Sequence, residues 1–96
     1  MNNYSVYIIH SISLNRFYTG MSSDVAKRIN FHLNPTENKK FTAKAKDWKI
    51  FLTIDNLSKE QASKIEMHIK KMKSKIYIEN LLKYPEIIQK LKLKYS

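Results

Sequence analysis

The run Tyr4 to Ser11, YSVYIIHS, most limits what this chain can become. It is rich in β-branched and aromatic residues, the composition of a strand. Side chains alternate along a strand, so Tyr4, Val6 and Ile8 share one face while Tyr7 and Ile9 share the other. Apolar groups on both faces require cover on both sides. With 96 residues there is room for one domain and one modest core. The expectation is a small α/β domain spanning residues 1–96.

The rest of the chain supplies the other layers. Ser13-Leu14-Asn15 reads as a turn and Arg16 to Gly20, RFYTG, as a second strand, giving an antiparallel hairpin. Gly20 is the only glycine in the chain. Ser22 or Ser23 suits an N-cap with Asp24 in the first turn. The helix that follows runs to about Leu33, stops near Asn34-Pro35, and turns Val25 and Ile29 inward. A basic stretch, PTENKKFTAKAKD, with room for a short helical turn, leads to a third strand at Trp48–Ile54, WKIFLTI. Ser58 and Gln61 form a capping box, and Leu57 staples onto Ala62. That helix runs to about Lys73 with an apolar stripe of Ala62, Ile65, Ile69 and Met72. Ser74 caps a further helix and Pro85 opens a last basic one. The order is β-β-α-β-α-α, with residues 74–96 as a C-terminal helical extension.

Charge is the loudest global feature. Eighteen Lys and Arg against eight Asp and Glu give +10, a field that draws polyanions, nucleic acid first among them. Arg16 and Arg28 are the only arginines. Lysine is a good point charge for phosphate and a poor reader of base edges, so binding should be backbone-led and salt-sensitive. The blander alternative is a lysine-rich surface that reflects genome bias. The absence of cysteine excludes disulfide scaffolds and thiolate metal sites and fits a reducing cytoplasm. No apolar run approaches the roughly 20 residues that cross a bilayer, and the start does not read as a signal peptide. A cytoplasmic protein without a membrane partner is expected.

Few residues stand out as chemical. Arg28 and His32 are four apart on the first helix and share a face. The plain alternative for Arg28 is an exposed pair with Asp24, and for His32 a surface or packing role. Glu66 sits on the edge of the apolar stripe, where it either pairs with Lys70 or coordinates something. Tyr7 and Tyr18 are good strand residues in any case. Composition and spacing alone leave catalysis open.

A family resemblance adds to this. The chain resembles the GIY-YIG nuclease superfamily, and is most similar to small stand-alone bacterial members related to the nuclease module of a nucleotide-excision-repair incision subunit. Ser5-Val6-Tyr7 matches the first signature element and Tyr18-Thr19-Gly20 the second. Ser5 replaces the family glycine and Thr19 the isoleucine. In YTGMSSDVAKRINFH, Arg28 and His32 fall on the family's arginine and histidine. In SKIEMHIKKMKS, Glu66 falls on its metal-binding glutamate, and Asn80 matches a C-terminal asparagine. The resemblance implies a three-stranded antiparallel sheet flanked by helices and a DNA endonuclease, with a place in DNA repair or processing. It implies one Mg²⁺ or Mn²⁺ on Glu66, transition-state stabilisation by Arg28, Tyr7 as general base, and Tyr18 and His32 as positioning groups. Lys39, Lys40, Lys44, Lys46, Lys70 and Lys73 are the expected nucleic-acid contacts. A monomer is favoured. The alternative is a basic DNA-binding domain of the same fold with weak or no turnover.

Overall fold

The computed structural model describes residues 3–33 and 45–96, the side chains of residues 31–33 excepted. Two strands, β1 (Tyr4–Ser11) and β2 (Arg16–Ser22), precede the helix α1 (Val25–Leu33). β3 (Trp48–Leu57) follows, then α2 (Lys59–Met72), α3 (Lys75–Lys83) and α4 (Glu86–Lys94). The three strands form one antiparallel sheet in the order β2-β1-β3. The expected small α/β domain is present, and the helices expected from Ser74 and from Pro85 are separate elements, so the full order is β-β-α-β-α-α-α.

β1 lies in the middle, and its two faces belong to two apolar layers. Val6 and Ile8 pack with Ile54, Leu57, Ala62, Ile65, Ile69, Leu81 and Leu91, so α2, α3 and α4 cover that face. Tyr7 and Ile9 pack with Ala45 and Trp48, and Val25 and Ile29 of α1 close over them. The alternation in YSVYIIHS therefore decides which helix each residue meets. Met72 departs from the expected stripe: it is the last residue of α2 and is exposed.

Local chemistry fixes the element ends. Ser58 Oγ accepts the Gln61 N–H at 3.1 Å and Gln61 Oε1 accepts the Ser58 N–H, a complete capping box. Ser74 Oγ accepts the Tyr77 N–H at 3.1 Å at the start of α3. At α1 the cap is Asp24 and not a serine, since its carboxylate accepts the Lys27 N–H at 3.1 Å. Ser22 instead ties the loop, with its Oγ accepting the Asp24 N–H and donating to the Asp24 carbonyl. β2 continues two residues beyond Gly20, and β3 three beyond Ile54. The last helix is tied back to α2, with Gln61 Nε2 donating to the Lys92 carbonyl at 3.1 Å and His68 Nδ1 bonded to the Tyr95 hydroxyl at 2.9 Å. No helix among the described residues is long and apolar enough to cross a membrane.

Asp47 does a job the sequence did not announce. Its carboxylate accepts from Ser11 Oγ at 2.6 Å, from the Ser13 N–H at 2.8 Å and from Ser13 Oγ at 3.0 Å. It thereby clamps the hairpin turn to the segment entering β3. The Ser11 hydrogen bond, then those from Ser13, pull its pKa down from 3.8 to about 2. A carboxyl group held below its unfolded value stabilises the fold fully above that value, and the effect is lost as pH falls through the folded one. Asp47→Asn should therefore lower the melting temperature at neutral pH, with the gap between parent and variant closing as pH falls from 3.8 towards 2. A gap that stays constant across that range would show that the clamp is not ionic.

Candidate active site

The site begins with a ladder pair. Tyr7 and Gly20 are partners across β1 and β2. Gly20 has no positive φ, so conformational freedom is not what it supplies. A Cβ there would press on the Tyr7 hydroxyl and come within 2.5 Å of its Cζ. The glycine makes room for the Tyr7 ring, whose hydroxyl end lies over it and which is 1% exposed. The close approach expected at Gly20 is thus filled by the first signature tyrosine itself.

Three other elements bring groups to that phenol. On α1, Val25 and Ile29 face the sheet, and Arg28, three residues after Val25, sits at the border of the same face. Its guanidinium hydrogen-bonds the Tyr7 hydroxyl. Tyr18, two residues before Gly20 and on the same face of β2, lies close enough to act on the Tyr7 phenol, as does Glu66 from α2. Glu66 stands beside Ile65 and three residues before Ile69, both fully buried, and its side chain is 18% exposed. Four of the expected site residues therefore converge from β1, β2, α1 and α2.

Burial pushes the Tyr7 phenol up to about 12, and the charges of Tyr18 and Glu66 push the same way. Arg28 opposes them, by its hydrogen bond and its charge, and does not win. The proton stays on Tyr7 at neutral pH, so a base role needs additional positive charge in the site.

Glu66 also makes the ion pair that its helical spacing allows. Lys70 Nζ lies 3.8 Å from Glu66 Oε2, with the lysine side chain 50% exposed. At that length and exposure the pair contributes roughly 0.3–0.5 kcal/mol, too little to account for a carboxylate beside a buried stripe. Lys70 Nζ also sits 5.6 Å over the Tyr18 ring, so one ammonium joins the carboxylate to the second phenol.

No group of three or more His, Asp or Glu side chains able to close round a metal occurs among the described residues. A lone, partly exposed carboxylate suits a hard cation that takes one protein oxygen and keeps several waters, as Mg²⁺ does. The single carboxylate at Glu66 fits such an ion and would not suit zinc, which takes three or four protein ligands.

The other expected residues are scattered. His32 lies on α1 one turn after Arg28, and its side chain is outside the described residues. Lys39, Lys40 and Lys44 are outside them too. Lys46 is exposed beside Asp47. Asn80 is half-buried on α3, where its carbonyl accepts the Tyr84 N–H at 2.7 Å. No hydrogen bond among the described residues joins its amide to the four convergent side chains. The exposed Asp24–Arg28 alternative loses ground, because the Asp24 carboxylate caps its own helix and the Arg28 guanidinium is bonded to Tyr7.

Two phenols, a guanidinium and one carboxylate thus meet at the edge of a small antiparallel sheet. The family model for the GIY-YIG catalytic domain matches residues 3–80. The chain belongs to the GIY-YIG family. Domains of this family are usually endonucleases and generally use divalent metal ions. The match ends within α3, while α4 lies beyond it and still contributes Leu91 to the main core. No curated protein and no solved structure matches the chain.

Proposed function

We propose that this chain is a Mg²⁺- or Mn²⁺-dependent DNA endonuclease, acting in the cytoplasm in DNA repair or processing. The observation that carries the reading is the meeting of Tyr7, Tyr18, Arg28 and Glu66, four polar groups from four elements, around one phenol. Structural needs do not explain it. A buried tyrosine requires one hydrogen-bond partner, and Arg28 already serves.

In this reading Glu66 would hold the ion as its one protein ligand. The bound cation would supply Lewis-acid polarisation of the phosphate and a field that lowers the Tyr7 pKa. Arg28 offers its planar fork to the phosphate and neutralises charge on the pentacoordinate transition state. Tyr7, as its phenolate, would take the proton of the attacking water as the new P–O bond forms, and the ester P–O bond would break with the leaving oxygen departing as an alkoxide that takes its proton from solvent. Tyr18 positions the phosphate with Lys70, and His32 and Asn80 complete the set. Lys39, Lys40, Lys44, Lys46, Lys70 and Lys73 hold the backbone.

Two substitutions test these roles. Tyr7→Phe keeps the ring over Gly20 and loses the hydroxyl. Cleavage should fall by about 10²–10⁴-fold, with folding and metal-free DNA binding kept; near-parent turnover would move the base role to Tyr18 or to a water. Arg28→Lys should restore little of what Arg28→Ala loses, since lysine keeps the charge without the fork. If the lysine variant cuts at the parent rate, Arg28 is only a charge. The second reading, a DNA-binding domain of this fold without turnover, is favoured by the high pKa of Tyr7. Supercoiled plasmid incubated with divalent metal separates the two, because binding alone leaves it intact.

A further inference from the structure

Beside the convergent residues runs a groove of about 670 Å³. It wraps the outer edge of the sheet, because both faces of the edge strand β2 line it: Arg16 and Tyr18 from one, Phe17 and Thr19 from the other. The opposite wall is the junction of α2 and α3, with Lys70, Lys73 and Lys75. Four cations line it and no carboxylate does.

The walls are held in place. Lys75 Nζ donates to the Asn15 carbonyl at 2.7 Å, tying the start of α3 to the hairpin turn. Lys73 is the left-handed C-cap of α2, with φ 48 and its N–H bonded to the Lys70 carbonyl. Tyr18 lines this groove and acts on the Tyr7 phenol, and Lys70, which lines it too, pairs with Glu66, so the groove adjoins the site.

We propose that this groove seats the DNA strand next to the scissile phosphate, with Arg16, Lys73 and Lys75 contacting its backbone. The proposal rests on the nuclease reading and deepens it. Lys73 lies seven residues beyond Glu66, about 10 Å along the helix at 1.5 Å per residue. DNA rises about 3.4 Å per nucleotide along one strand. With the strand laid along α2, Lys73 and Lys75 meet phosphates about three nucleotides from the reacting one, on one side only. The partner is a polyanion, since four basic residues and no acidic one line the groove, even with Lys70 paired to Glu66 and Lys75 to the Asn15 carbonyl. Arg16 was legible beforehand: it stands two residues before Tyr18 and so shares its face. Nothing in the sequence placed Lys75.

The test is metal-free DNA binding by fluorescence anisotropy across salt, with oligonucleotides shortened one nucleotide at a time from either end. The parent should lose affinity sharply when about three nucleotides are removed from one side of the cut position. In Lys73→Gln/Lys75→Gln the log–log salt slope should fall by about 1.4–1.8, two phosphate contacts at roughly 0.7–0.9 each. The parent's preference for the longer oligonucleotide should largely vanish. Arg16→Gln, across the groove and clear of the Asn15 contact, should lower the slope by close to half as much, even if the double variant folds poorly. An unchanged slope, or an undiminished length preference in the variants, overturns the proposal. A parent that cuts DNA while its groove variants bind like it refutes the groove alone. A parent that neither binds nor cuts refutes the nuclease reading as well.

Discussion

Gly20→Ala should cripple the protein although it adds a single methyl group. The new carbon would lie within 2.5 Å of Tyr7 Cζ and press on the hydroxyl. Tyr7 is 1% exposed, packed with Ile9, Ala45 and Trp48, and cannot swing into solvent. Either the ring shifts within its layer or the β1–β2 ladder opens. Overpacking of this kind costs about 1–3 kcal/mol, which in a domain of this size lowers the melting temperature by roughly 4–24 °C. A shifted ring also takes the phenol away from Arg28, so cleavage should fall further than stability does. Tyr7→Phe removes the closest atom, so the pair Tyr7→Phe/Gly20→Ala should be more stable than the sum of the single losses allows. A Gly20→Ala protein with the parent's melting temperature would show that the ring has room to move, and that the glycine is there for another reason.

The second large effect is expected at Glu66. As a surface partner of Lys70, the carboxylate would contribute little, and Glu66→Gln would cause a small stability loss with cleavage intact. As the ion's one protein ligand, it is a negative charge beside Ile65 and Ile69, close to where a phosphate would come. Gln keeps the shape and removes the charge. Thermal stability should then be unchanged or slightly raised, and metal-free DNA binding equal or tighter. Metal-dependent cleavage should disappear. The two accounts thus differ in sign as well as size, and melting temperature with metal-free affinity on this one variant separates them before any activity is read.

How much of this could be read from the residues varies with the range of the interaction. The capping box at Ser58 and Gln61 and the cap at Ser74 are local and were legible, as was the double-faced strand β1. The pairing of Tyr7 with Gly20 was one residue out of reach: a turn at 13–15 pairs residues whose numbers sum to 28, Tyr7 with Met21, whereas Ile12 joins the turn and the ladder sums to 27. The glycine was read as a strand end because nothing local shows where β2 stops. At α1 three candidate caps stand in a row, and which one is used depends on how the chain leaves β2. Asp47 was invisible, because its partners Ser11 and Ser13 lie 36 and 34 residues away and meet it only once β3 has docked. Arg28 and Glu66 could be picked out by resemblance, but spacing alone offered each an ordinary partner four residues away. What distinguishes them is the fold, which brings α1 and α2 to the same phenol. The basic groove is the least local feature, built from a strand edge and a helix junction over 50 residues apart in the chain.

The central claim is that this GIY-YIG domain cuts DNA through an ion held on Glu66. The direct measurement is conversion of supercoiled plasmid to nicked circles by the parent and by Glu66→Gln, in Mg²⁺ or Mn²⁺, with and without a chelator. The account predicts nicking by the parent, none with chelator, and none by the variant although it still binds DNA. A Glu66→Gln protein that nicks at the parent rate, or a well-folded parent that binds plasmid in either metal and leaves it supercoiled, would contradict it.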